Sequence, residues 1–443
     1  MKTSVKYKEI WKIAYPIILG SIVQNIISVT DTAFLGRVGE VELGAAAIGG
    51  VFYLTLIMLG FGFSIGSQII VARRFGENNN KQIGLIIEHS HYFLIVLAIL
   101  IISVMQWAMH PVFEGVLESN DIKLASVNYF EYRIYGLFFA YINYGFRAFY
   151  IGIARTRIIT WTTVFMAISN LFFDYVLIFG NWGFPELGIA GAAIASVISE
   201  ISAMVFFIFY TIKFVDLKFF NLFRFKKFDF AILKRIFKVA FPMMMQNFIS
   251  FTGWFFFFLL VEKMGERPLA ISNVIRSIYV VMLIPIWGFT SAANTLVSFL
   301  IGRGRTEEVL SLIFKILKVC LLAVTGLVLL NMLFPEFVLS IYTNNHILIR
   351  EALPTLYVVS IAALFLTIGF VFFSGVSGAG MTRISFLIET SVIIIYVLYT
   401  YLMVNLKLPR IEFVWTVEIF YGTIIAIISF LYLKFGNWQN KQI

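Results

Sequence analysis

The sequence predicts an all-α, polytopic membrane protein of about 12 transmembrane helices, built as two six-helix lobes related by a parallel internal repeat. Three observations carry this prediction. The chain of 443 residues is 60% apolar and only 13% charged, with a mean hydropathy of +0.91, whereas a soluble domain carries about 25% charged residues. Its apolar residues come in runs of about 20 to 30, and about 20 helical residues cross a hydrocarbon core of about 30 Å. The chain also matches itself at one constant shift. This composition excludes a disordered chain, a collagen and a disulfide scaffold, and it argues against an ordinary cytosolic enzyme.

In chain order the first six runs cover residues 10–36, 43–72, 83–110, 122–152, 156–179 and 187–212. Lys2, Lys6, Lys8 and Lys12 precede the first run, which lacks a small-residue cleavage site and so reads as a retained span. Span two holds Gly60, Gly62, Ser64, Gly66 and Ser67, small residues that allow close helix contact. Span three opens with Glu88, His89 and His91. Two His at i, i+2 point to different helix faces, which speaks against a metal site. Arg147 lies near the inner end of span four, within snorkelling reach of the interface.

The last six runs cover 236–262, 269–301, 309–334, 347–375, 380–406 and 411–435. Span eight carries Arg276, and span eleven carries Glu389 about two turns from its inner end. Span nine holds the single cysteine, Cys320, which can form no internal disulfide and reads as packing.

Lys and Arg concentrate in alternate breaks. Lys2 to Lys12, Arg73, Arg74, Lys81, Arg155, Arg157, the basic stretch 213–238, Arg303, Arg305, Arg383, Lys434 and Lys441 fall on one side. Arg37, Lys123, Lys263, Arg267, Arg350, Lys407 and Arg410 fall on the other. The positive-inside rule then makes both termini cytoplasmic in a multi-pass cell (plasma or inner) membrane protein. The net charge of +10 thereby reflects topology, and no nucleic-acid partner is implied.

The basic stretch is the longest inner connection and divides the chain into residues 1–212, a cytoplasmic linker 213–235, and residues 236–443. Self-comparison agrees. At a shift of 226, Ala14-Tyr15-Pro16 meets Ala240-Phe241-Pro242, and Gly39 meets Gly265. Gly62-Phe63 meets Gly288-Phe289, Gly152 meets Gly378, and Thr156-Arg157-Ile158 meets Thr382-Arg383-Ile384. Both copies start inside, so they are parallel repeats about an axis along the membrane normal. Secondary transporters use this plan, with the pathway between the halves.

Positions where the copies differ in charge are the informative ones. Asp31 in span one has Phe257 as its copy, Asp174 in span five has Thr400, and Asn170 has Tyr396. Gln24, Ser28 and Asp31 share a face at i, i+4, i+7, as do Asn170 and Asp174 at i, i+4. An ionised carboxylate in lipid costs a few kcal/mol or more, so both Asp should face the interior of the first bundle. Two nearby carboxylates resist double ionisation, and a proton or a small cation relieves the repulsion. Oxygen-only ligands suit a hard cation such as Na⁺ better than a transition metal. The plainer alternative is a polar pair that locks two helices together.

These residues give the chain its resemblance to the multidrug and toxic compound extrusion (MATE) family. The carriers are Pro16, the run Asp31-Thr-Ala-Phe-Leu-Gly36 with Gly39, the run from Asn170 to Asp174 and on to Gly180, and the run from Gly188 to Ser196. The resemblance covers nearly the whole chain. It implies two six-helix lobes, a central cleft, and alternating-access export of amphipathic organic cations in exchange for H⁺ or Na⁺, with no cofactor and a monomer as the working unit. It also implies that Asp31, Asn170 and Asp174 are the coupling group, that Ser196 stands where many members have a sixth-span Thr, and that the first helix can bend at Pro16. NorM-like members carry further acids on spans seven and ten. Here Ser250 stands at the first of those places, and the tenth span has only Glu351, at its outer end. That departure favours a first-half mechanism, as in the DinF-like branch.

Tyr141, Tyr144, Arg276, Trp287, Phe289 and Glu389 are candidate substrate-cleft residues, since aromatic faces attract organic cations. A flippase for a lipid-linked glycan shares the architecture but needs several deep basic residues, and Arg276 is nearly alone. A polytopic membrane enzyme needs a nucleophile or metal cluster, and no Walker, His-Glu-x-x-His or Gly-x-Ser-x-Gly motif occurs.

Overall fold

A computed structural model describes residues 5–117, 119–225, 227–406, 410–439 and 443. Lys2, Lys226, Lys407 and Lys441, used above for orientation, lie outside the described residues. The regular structure among the described residues is helical. The first half holds α1 (Tyr7–Val38), α2 (Glu40–Gly76), α3 (Asn80–Val116), α4 (Asn120–Arg133), α5 (Gly136–Gly152), α6 (Arg157–Phe179) and α7 (Gly188–Phe214). The short α8 (Leu217–Phe220) lies in the basic stretch. The second half holds α9 (Phe230–Glu262), α10 (Glu266–Gly302), α11 (Val309–Leu333), the short α12 (Pro335–Ser340), α13 (His346–Gly378), α14 (Thr382–Val404), the short α15 (Ile411–Trp415) and α16 (Val417–Phe435).

Among the described residues, eleven helices are long and apolar enough to cross a membrane. Their outer faces carry large apolar side chains that water would not tolerate together, among them Trp107, 87% exposed, and Leu322, 77% exposed. The expected span 411–435 is broken once, at Thr416 between α15 and α16, and the expected span 122–152 also departs from a continuous helix. It is two helices, α4 and α5, interrupted at Ile134 and Tyr135. Its repeat copy, α13, runs unbroken. The break comes right after Arg133, and a side chain at Gly136 would collide with Glu200 and Arg133. Bare backbone at Gly136 makes room for the Arg133–Glu200 ion pair.

The repeat is visible in the turns. α1 passes to α2 through Gly39, and α9 passes to α10 through Met264 and its copy position Gly265. Gly265 has φ +107°, a backbone conformation closed to residues with a side chain. The chain groups into two compact units, residues 19–244 and residues 1–18 with 245–443. The unit boundaries fall inside α1 just past Pro16 and inside α9 just past Pro242. In the first of these units the connection after α7 is tied to α3: Glu88 Oε1 accepts the Arg224 and Phe225 amides at 2.7 and 3.2 Å, and His89 Nε2 accepts the Asp229 amide at 2.9 Å.

The small residues of α2 do what the sequence suggested. A side chain at Gly66 would collide with Ala240 of α9, whereas one at Gly326 of α11 would meet open space. Gly66→Leu should therefore cost about 1–3 kcal/mol by overpacking, and Gly326→Ala should be close to neutral. Thermal melting of the two purified variants in detergent separates these outcomes; equal melting temperatures would show that the α2–α9 approach is not tight.

Candidate functional site

The site is built on the hairpin of α6 and α7. α6 ends at Gly180, whose φ of +66° turns the chain out of the helix. The Leu187 amide then donates to the Leu177 carbonyl at 2.9 Å. A side chain at Gly191 would strike that same carbonyl, so the two helices touch at backbone distance. This hairpin presents Asn170 and Asp174 on α6, and Ser196 on α7 lies 8% exposed. Asp31 reaches the group from α1.

Asp174 is fully buried, Asn170 is 1% exposed and Asp31 is half-buried. Their side chains lie close enough to act on one another. None of them is satisfied: Asp31 Oδ1, both Asp174 oxygens and both polar atoms of Asn170 make no hydrogen bond among the described residues. Buried polar atoms are ordinarily paired, so this cluster of unpartnered ones is a candidate binding site. With three oxygen-bearing side chains converging, a proton shared between carboxylates or a hard cation fits the donor set. The hydroxyl of Ser196 does not bond any of the three among the described residues. Gln24 and Ser28, expected on the Asp31 face, are exposed.

Sequence reasoning missed the neighbouring charges. Arg133, at the end of α4, donates to Glu200 of α7 from Nη2 to Oε1 at 2.8 Å and from Nη1 to Oε2 at 3.2 Å. Tyr53 of α2 donates its hydroxyl to Glu200 Oε1 at 3.0 Å, and the Arg133 guanidinium sits 3.7 Å from the centre of the Tyr53 ring. Arg133 also acts on Asp31 through its charge. The available signal was the presence of Arg133 and Glu200 inside predicted spans, since an intramembrane charge implies a partner. Their pairing across 67 residues was not readable.

The remaining candidates lie within their own units. Pro16 is buried inside a continuous α1. Tyr141 is fully buried and donates to the Leu56 carbonyl at 2.7 Å, while Tyr144 packs edge-on against Phe61. Arg276 lies over the Phe258 ring at 5.3 Å. Trp287 is 45% exposed, and Phe289 is fully buried against Trp11. Glu389 is 1% exposed and accepts hydrogen bonds from Ser250 and Tyr421. Among the described residues no group of three His, Cys, Asp or Glu side chains is placed to hold a metal ion.

A polytopic repeat protein with a buried acidic group in one half has the plan of a secondary transporter. The MatE family matches residues 16–176 and again residues 242–402, in the register of the internal repeat. The chain is a member of the MATE family of transporters. It is 26% identical over 397 residues to the probable multidrug resistance protein NorM of Thermotoga maritima, covering 85% of this chain and 80% of that one. Against the protein of the same name from Agrobacterium fabrum it is 24% identical over 334 residues, 75% of this chain and 71% of that one. Among solved structures, an outward-facing multidrug resistance MATE transporter of the MOP superfamily superimposes with a TM-score of 0.90 at 19% identity, over 98% of this chain and 97% of that one. A MOP superfamily transporter from Pyrococcus furiosus gives 0.88 at 19% identity, over 97% and 95%.

The Arg133–Glu200 pair makes a stability prediction. Removing one partner strands the other charge in a buried site, at a cost of about 3–5 kcal/mol. Arg133→Met and Glu200→Met should each melt well below wild type, and the double variant should recover much of the loss. A double variant as unstable as the sum of the singles would show that the pair does not act as a unit.

Proposed function

We propose that this protein is a secondary antiporter that exports amphipathic, cationic organic compounds from the cell, driven by inward movement of H⁺ or Na⁺. The observation that carries the reading is the buried, unsatisfied oxygen group of Asp31, Asn170 and Asp174. The curated relatives named as probable multidrug resistance proteins support the substrate class.

The chemistry follows from the cost of charge at this depth. Asp31 and Asp174 side by side repel when both are ionised. A proton on one lets it donate to the other, converting repulsion into a hydrogen bond. A Na⁺ between them is met by carboxylate oxygens, by the Asn170 amide oxygen and, after a small movement of α7, by the Ser196 hydroxyl. Either event draws α1 toward α6. Pro16 removes one backbone hydrogen bond inside α1, so the helix can yield there. The bend then links the occupancy of Asp31 to alternating access of residues 1–212 against residues 236–443 across the linker 213–235. The coupling group lies in the first half, as in the DinF-like branch. Tyr144, Arg276 and Trp287 are the cleft candidates with surface left to offer a substrate, each partly exposed.

The test is transport of a fluorescent organic cation by proteoliposomes, with a pH gradient and a Na⁺ gradient imposed separately. Wild type should respond to one of them. Asp31→Asn and Asp174→Asn should each reduce driven transport at least about tenfold, equivalent to about 1.4 kcal/mol in activation free energy, while eluting as folded protein. Wild-type export by both variants would sink the assignment.

A further inference from the structure

The second half has no charge at the copy positions of Asp31 and Asp174, yet it is not free of buried acid. Phe257, the copy of Asp31, is fully buried and packs edge-on against Trp415 at 4.8 Å. Thr400, the copy of Asp174, donates to the backbone carbonyl of Tyr396. Tyr396 itself, the copy of Asn170, donates its hydroxyl to Glu418 Oε1 at 2.9 Å. Glu418 is 2% exposed and sits on α16, a helix whose first-half counterpart contributes Ser196. Where spans one and five lost their acids, a carboxylate enters the same neighbourhood from the last helix.

Glu418 Oε2 accepts the hydroxyl of Tyr279 on α10 at 2.8 Å. Tyr279 is the copy of Tyr53, which makes the equivalent bond to Glu200. The two halves thus share a phenol–carboxylate contact between their second and sixth spans. They differ in its counter-charge: the first half supplies Arg133, and the copy position in the second half is Val359. A second acid lies nearby on the facing helices. Glu389 of α14, 1% exposed, accepts Ser250 of α9 and, at 2.7 Å, Tyr421 of α16 on its Oε1. Its Oε2 has no partner, and Gln246 Oε1, one turn before Ser250, is likewise an acceptor without a donor among the described residues. Tyr396 and Tyr421 stand edge-to-face at 5.6 Å between the two acids.

We propose that Glu389 and Glu418 form a second proton-binding site, carried by α14 and α16 and separate from the Asp31–Asp174 group. Among the described residues every hydrogen-bond partner of these two carboxylates is a hydroxyl. The titratable groups facing them are Tyr279 from α10, Tyr396 from α14 and Tyr421 from α16, besides each other; α9 presents Ser250 and Gln246, and α13 has its charged residues, Arg350 and Glu351, in its first turns. A carboxylate without a cation in such surroundings takes up a proton from water rather than remain charged. A phenol hydroxyl both donates and accepts, so Tyr279 and Tyr396 can serve Glu418 in either protonation state. On Glu389 the incoming proton adds to Oε2, the oxygen left open. The site uses the fifth and sixth helices of its half, and the coupling assigned to Asp31 stands or falls without it.

Infrared difference spectroscopy of the full chain in liposomes, between neutral and alkaline buffer, reads these protons directly. With Asp31→Asn and Asp174→Asn in the background, carboxylic-acid carbonyl bands should remain at neutral pH, where exposed acids are ionised. Glu389→Gln and Glu418→Gln should each remove about half of that signal, and the double variant all of it. Tyr396→Phe keeps both acids and should shift the Glu418 band while leaving the Glu389 band in place, which carries the test should a Gln variant not fold. Bands that no Glu variant diminishes, or their absence at neutral pH, would overturn the proposal. Transport need not be measured, so failure here and failure of the antiporter reading are separate results.

Discussion

A charge inside the hydrocarbon layer must be met by an opposite charge, by a proton or by a bound ion, and most of this structure is arranged around that requirement. The first half meets it once with Arg133 and Glu200, whose bidentate bond is buried and further held by Tyr53. It leaves it unmet a second time, at Asp31 and Asp174. The contrast is informative because the two groups are neighbours in one compact unit. The ion pair has its partners within the protein, whereas Asp31 Oδ1 and both Asp174 oxygens accept no hydrogen bond among the described residues.

The backbone bends to this electrostatic need. The fourth span of the first half is interrupted where Arg133 must reach Glu200, and Gly136 clears the space. The second half, with Val359 in place of Arg133, keeps α13 continuous. At this span the two copies thus differ both in helix continuity and in charge. Close helix contacts at Gly62 and Gly66 of α2, against Met244 and Ala240, hold α2 and α9 at backbone distance.

The long apolar runs and the repeat were legible in the chain because each rests on composition or on a fixed register. Asp31, Asn170 and Asp174 were legible for the same reason: they sit within the ungapped repeat, so their copies could be compared. Glu418 was not, since it enters its site from the last helix, beyond the reach of that register. Glu200 and Arg133 were visible as charges in spans, but a pairing across 67 residues depends on how α4 and α7 pack.

What the sequence by itself determined is a membrane-spanning, duplicated helical protein of the MATE type with an acidic group in its first half. Hydropathy and repetition are properties of the linear chain, and they suffice for that. Which acids are satisfied and which are left open was decided only by the tertiary structure. Hydrogen bonding between helices far apart in the chain depends on distances of a few tenths of an ångström, and such distances exist only once α1, α6 and α7, or α14 and α16, have been packed together.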